Sequence, residues 1–222
     1  TLTVGAKADA LPVKQLDVNA GDYLHWSGDS QKIHFSLGDE LFTTALTNTF
    51  GFVAGAPKEL PKPVESGLKI GFREASDKPN GSIVLSGARV VTMKGDEVIE
   101  NARIVIKDNR IVQVGTAENV SVPVGAKQID LKGKTIIPGL VDVHWHGGMG
   151  ESEIIPQQSW VNYASLAFGV TTIHDPSNDT TEIFTQSEMQ KAGRVVAPRI
   201  FSTGTILYGA KANFSAVVNS LD

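Results

Sequence analysis

Apolar and polar positions change rhythm twice along the chain. Over residues 1–50, short β-rich pieces alternate with turn signals, as in "DYLHWSGDSQKIHFSLGDELFTTAL". Tyr23–Trp26 and Lys32–Leu37 read as strands flanking the turn "SGDSQ", with Leu41–Leu46 as a third. Residues 51–66, "GFVAGAPKELPKPVES", hold three prolines and read as a linker or an extended crossing. From 67 to 137 the strand signal strengthens. "SIVLSGARVVTM", "VIENARIVIKDNRIVQVG" and "KQIDLKGKTIIP" are rich in Val and Ile and broken by "KGDE", "KDNR" and "LKGK". This predicts antiparallel hairpins forming one wall of a small β-sandwich.

After Pro138 the rhythm becomes strand, then helix. "GLVDVHWH" predicts a strand. Over 156–169, Trp160, Tyr163, Ala164, Ala167 and Phe168 recur at helical spacing, predicting an amphipathic helix that stops at Gly169. "VTTIHD" predicts a second strand. In "NDTTEIFTQSEMQKAG", Asp179 stands as N-cap, Glu182 follows three residues on, and Gly193 closes a second helix. "PRIFSTGTIL" predicts a third strand. Strands alternating with helices imply parallel βαβ units. Three regions result, 1–66, 67–137 and 138–222, and the fold class is α/β plus β.

Composition excludes more than it assigns. The 222 residues are 41% hydrophobic and 20% charged, and a formal charge of −4 offers nucleic acid no basic footprint. Without cysteine there is no disulfide, no thiolate ligand and no thiol nucleophile. No apolar run approaches the ~18 residues of a membrane span. The chain begins with Thr and no basic-then-apolar leader precedes it, so the expectation is an N-terminus processed, engineered or cut from something longer.

Of five histidines, only His144 and His146 lie close together in sequence. On a strand, side chains alternate, so both point to one face together with Asp142, while Val141, Val143 and Trp145 point to the other. Two imidazoles at the exit of a parallel strand can reach one metal ion, and strand exits are where barrel active sites lie. The "GGMG" that follows lets backbone pass close to a ligand. Read without context, a strand that merely ends in two histidines remains open.

Longer stretches narrow that choice. "TIIPGLVDVHWH" resembles the first barrel strand of the amidohydrolase superfamily. "SGARVVTMKGDEVIENARIVIKDNRIVQVG" is similar to the sandwich hairpins preceding the barrel in members of the imidazolonepropionase and Xaa-Pro dipeptidase type. "FGVTTIHDPSND" resembles the second strand and "APRIFSTGTILYGA" the third, so the resemblance spans residues 82–210. Separately, "DYLHWSGDSQKIHFSLGDELF" resembles one blade of a TolB-type β-propeller.

The resemblance implies a propeller-blade remnant, a partial β-sandwich and the first three strands of a metal-dependent (β/α)8 barrel. It casts His144 and His146 as ligands of a divalent metal, with Zn first and Fe, Ni, Co or Mn open. Asp142, His174 and Asp175 are the candidates for orienting those ligands. Lys211 follows the third strand, whereas the family's carboxylated lysine belongs to the fourth, so it is not assigned. His25 and His34 lie in the propeller-like hairpins as surface or packing residues. The implied activity is hydrolysis of C–N bonds in a small amide, cyclic amide or dipeptide by metal-activated water.

From Gly139 to Asp222 there is room for three strands, at roughly 30 residues per βαβ unit, against about 250 residues for a whole barrel. The expectation is therefore an internal fragment with no catalytic residue of its own, weak metal occupancy, and exposed edges that favour self-association. The rival reading is a non-catalytic, propeller-linked binding or scaffold protein with a vestigial metal motif. Nothing predicts a nucleic-acid partner. Localisation stays open, with the propeller resemblance pointing to an exported or periplasmic protein.

Overall fold

The computed structural model describes residues 12–18, 21–152, 154–208 and 216–217. Two compact units emerge, residues 1–73 and 74–222. In the first, β1 (Asp22–Trp26), β2 (Lys32–Leu37), β3 (Glu40–Ala45) and β4 (Leu68–Lys69) form an antiparallel meander in chain order. The β1–β2 turn is built by Asp29, whose carboxylate accepts from the Ser27 hydroxyl at 2.6 Å and the Gln31 amide at 3.0 Å. The Ser27 bond, then the Gln31 N–H, hold that carboxyl below its ordinary pKa. Alternation on β2 and β3 buries Ile33, Phe35 and Phe42, and the two phenylalanines stack at 5.1 Å. His34 and Thr43, paired in register, occupy the opposite face. Residues 67–69, expected to open the sandwich, pair with the hairpins instead: Gly67 N–H donates to the Glu40 carboxylate at 2.8 Å, just before β4.

In the second unit β5 (Ser82–Val91), β6 (Val98–Lys107) and β7 (Arg110–Thr116) form the expected antiparallel meander. The next two strands break the expectation of continued hairpins. β8 (Lys127–Asp130) and β9 (Thr135–Ile136) both pair parallel to β5. Residues 117–126 make the crossing, burying Val120 against Val84 and Val105 on one sheet face. Arg103 secures the crossing by donating to the carbonyls of Ala117, at 2.8 Å, and Val120. Burying Val120 offsets what a tight hairpin would have gained in local pairing. At Gly87 (φ +85°) the register of β5 shifts, and Leu131 N–H reaches the Ser86 carbonyl at 2.8 Å. The bulge moves even-numbered positions across the sheet. Val84 lies on the Val120 side, whereas Val90 packs with Ala102 and Ile104 on the other.

Three parallel strands follow, β10 (Leu140–Asp142), β11 (Val170–Asp175) and β12 (Arg199–Ser202), ordered β10-β11-β12. The crossovers are α1 (Trp160–Ala167) and α2 (Thr180–Ala192). A short pair, β13 (Leu207–Tyr208) with β14 (Ala216–Val217), comes last. α1 is shorter than the predicted 156–169 and turned differently. Its fully buried residue is Asn162, whereas Trp160 and Phe168 of the apolar stripe are 78% and 82% exposed. Helical spacing located the stripe, but no described element covers it. α2 lies as read: the Asp179 carboxylate accepts from Glu182 N–H at 3.0 Å, and Gly193 ends the helix at φ +81°. Ile183 on α2 packs against Ile173 and Ile200, which face each other across β11 and β12.

The end of α2 is also a docking point. Asp77 N–H donates to the Ala192 carbonyl at 2.8 Å, and Arg194 pairs with Glu74. A Cβ on Gly193 would sit 2.4 Å from the Asp77 carbonyl oxygen. Gly193→Ala should therefore lower unfolding stability by about 1–2 kcal/mol, through both positive φ and this clash. Lys191→Ala, on an exposed site nearby, should stay within about 0.5 kcal/mol. Urea denaturation of both variants distinguishes the cap from a general helix effect.

Candidate functional site

β10 starts where only glycine fits: a Cβ on Gly139 would lie 2.1 Å from the Thr171 hydroxyl oxygen on β11. The strand ends at Asp142, short of the predicted Gly139–His146, and residues 143–144 form a turn. Asp142 Oδ1 accepts from His144 N–H at 3.1 Å, the local bond by which a short carboxylate closes a turn two residues on. The chain then keeps company with β11, since Trp145 N–H donates to the His174 carbonyl at 2.9 Å. Strict alternation therefore fails past Asp142: Val141 and Val143 are exposed, whereas Trp145 packs against the Met149–Ile173–Ile183–Ile200 core. The two imidazoles still converge, edge to face, with ring centroids 4.9 Å apart.

Beneath them lies Asp175, whose side chain is fully buried. His146 Nδ1 faces its Oδ1 at 3.4 Å. Ser177 N–H donates to the same oxygen at 2.9 Å, and the Asn178 amide donates to Oδ2 at 2.8 Å. A buried carboxylate needs such donors, because losing water without replacing its hydrogen bonds costs several kcal/mol (about the range for an ion in a protein interior). Asn178 also donates to the Gly147 carbonyl at 2.8 Å, so it joins the loop after β10 to the loop after β11. The loop after β12 is drawn in as well: Thr203 Oγ1 donates to the Pro176 carbonyl at 2.9 Å and Asn178 N–H to the Gly204 carbonyl at 3.3 Å.

Two glycines of "GGMG", Gly147 and Gly150, serve packing. A Cβ on Gly147 would strike the Trp145 indole at 2.3 Å, and one on Gly150 the Ile154 carbonyl at 2.8 Å. Met149 between them is fully buried, and Gln186 of α2 donates to the Met149 and Pro156 carbonyls at 3.2 and 3.1 Å. These bonds pin the loop to α2.

Each candidate thus has a place. His144, His146 and Asp175 come together. Asp142 reaches the His144 backbone rather than an imidazole, because it sits at the turn. His174, opposite Phe201 on β12, contributes its carbonyl to Trp145. Lys211 lies outside the described residues. Asn178 was not singled out in the sequence, although it stands three residues after Asp175 in a turn-rich "PSND" that signals local side-chain bonding. Among the described residues no group of three or more His, Cys, Asp or Glu is arranged to hold a metal ion. The donor set nevertheless fits one in part: two adjacent imidazoles, one of them facing a buried carboxylate, is a pattern that leaves the far ring nitrogen for a ligand role.

No family model matches the chain. It is 33% identical over 129 residues to an imidazolonepropionase of Bacillus cytotoxicus, covering 57% of this chain and 30% of that protein. It is 31% identical over 103 residues to an adenine deaminase of Paracoccus denitrificans, covering 46% and 17%. Among solved structures, a prolidase-like protein of Bifidobacterium longum superposes with a TM-score of 0.51 at 26% identity, covering 62% of this chain and 33% of that one. These similarities support the amidohydrolase superfamily. The chain spans about a third of the length of the imidazolonepropionases it matches.

Asn178→Leu keeps the side chain's size and removes both donated bonds, leaving the Gly147 carbonyl and Asp175 Oδ2 short of a partner. Stability should fall by about 1–3 kcal/mol in urea denaturation. An unchanged midpoint would mean the amide does not hold the two loops together.

Proposed function

We propose that residues 138–208 form the first three strands of a (β/α)8 barrel whose protein hydrolyses a C–N bond in a small amide, cyclic amide or dipeptide. The observation that carries this is the convergence of His144 and His146 beside the buried Asp175, at the exits of parallel strands. The names of the relatives support the bond type, since imidazolonepropionase, deaminase and prolidase chemistry all open a C–N linkage.

In this reading His144 and His146 hold a divalent metal. Zn is the first candidate, and Fe, Ni, Co or Mn would be accepted by the same donors. Asp175 fixes the ring of His146, so that the nitrogen facing away from the carboxylate meets the ion. When bound, the metal supplies a water of lowered pKa and polarises the carbonyl under attack. Two imidazoles are an incomplete hold, so residues 1–222 alone bind the ion weakly and do not turn over substrate. The remaining ligands come from later strands of the whole protein.

The meander of the first unit serves as one blade of a TolB-type propeller, and residues 82–136 serve as part of the β-sandwich around the barrel. Exposed Trp160, Phe168, Val141 and Val143 make the isolated chain self-associate. No helix among the described residues is long and apolar enough to cross a membrane. The propeller reading favours an exported protein acting on small molecules, with no nucleic-acid partner.

Elemental analysis of the intact protein tests the metal reading. His144→Ala and His146→Ala should each lose bound metal and hydrolytic activity, and Asp175→Asn should weaken metal binding by about 10–100-fold. Full metal content in the double histidine variant would sink the proposal and favour the binding-protein alternative.

A further inference from the structure

We propose a second metal site on the outer face of the first unit, formed by His25 and His34 and taking a divalent ion that favours imidazole. The two residues are direct register partners on β1 and β2. Their rings stack with centroids 5.1 Å apart and planes 27° from parallel. They lie on the sheet face opposite Ile33, Phe35 and Phe42, so neither is needed to fill the core. His25 is exposed and His34 half-exposed.

The hydrogen bonds at the Nδ1 atoms define the chemistry. His25 Nδ1 lies 2.8 Å from the Tyr23 carbonyl oxygen, which can only accept. The proton of the neutral ring is therefore on Nδ1, and Nε2 carries a free lone pair. His34 Nδ1 lies 2.9 Å from Thr43 Oγ1, whose oxygen can accept from the same tautomer. Both rings are thus anchored through one nitrogen and present the other, the arrangement that orients histidine ligands in metalloproteins. The backbone supports this reading. Tyr23 takes φ +56°, and β1 leaves regular register between Asp22 and His25. A non-glycine residue in the left-handed region has an energetic cost, and here its carbonyl is the one that fixes the His25 ring.

Two Zn–N bonds of 2.0–2.1 Å at a tetrahedral angle require the nitrogens to be roughly 3.3 Å apart. With ring centroids 5.1 Å apart on paired strands, side-chain rotation has to bring the two Nε2 atoms to that spacing, and water completes the coordination. Ni and Zn are suited to imidazole donors of this kind, whereas Ca and Mg prefer oxygen.

The test uses the 222-residue chain carrying His144→Ala and His146→Ala, so that the strand-exit pair cannot contribute. Titration with Ni2+ or Zn2+ should show one equivalent bound, and one-dimensional proton NMR should show the ring protons of two histidines moving together. Adding His25→Gln or His34→Gln should lower affinity at least tenfold, and Thr43→Val, which removes only the anchor of His34, about tenfold. Absence of ion binding in the parent variant would overturn the proposal, as would binding unchanged by His25→Gln and His34→Gln. Far-UV circular dichroism identical across the set shows that these surface substitutions leave the fold intact. Because the strand-exit histidines are already gone, failure here leaves the amidohydrolase reading standing.

Discussion

A carboxylate with no access to water must be given hydrogen bonds by the protein, and in this chain that requirement organises the ends of three strands. Asp175 draws in Ser177, Asn178 and His146. Asn178 in turn holds the Gly147 carbonyl and, through its own N–H, the Gly204 carbonyl. Loops that would otherwise leave the sheet in separate directions are thereby tied at one place. Breaking such a set by removing one member leaves the others buried and unpaired, which is more costly than any single bond suggests. His146 faces this network, whereas His144 is held by the Asp142 carboxylate at the end of β10.

That dependence explains how far the chain could be read from its residues. Strands at Lys32–Leu37 and Val170–Asp175, the α2 caps at Asp179 and Gly193, and the parallel βαβ order all follow from local patterns, and the structure reproduces them. His144 and His146 lie close because only one residue separates them; the period-two argument stops at Asp142. What periodicity could not show was long-range. The parallel return of β8 and β9 to β5 depends on Val120 finding a place above Val84 and Val105. The role of Asn178 depends on a carbonyl 31 residues away. α1 turned its apolar stripe outward because helical spacing identifies a stripe without saying what covers it.

Glycines of the second unit serve two different purposes. Gly87 takes a left-handed conformation that redirects a strand, so its value lies in backbone freedom. Gly139 and Gly147 matter for volume: Thr171 and the Trp145 indole occupy the space where a Cβ would be. The motif "PGLVDVHWHGGMG" is therefore also a packing code for the start and exit of β10.

β5 pairs with β6 on one side and with both β8 and β9 on the other. During synthesis its second edge stays open until Ile136 has left the ribosome, more than forty residues after Val91 (a wait of some seconds at roughly 5–20 residues per second). β10 begins only a few residues beyond β9, so closing that edge also sets where the histidine strand starts. A slip of one residue in β9 would displace the base of β10 by about 3.3 Å and reverse its faces. The five-stranded sheet thus acts as an alignment gauge for the chain that enters the parallel sheet.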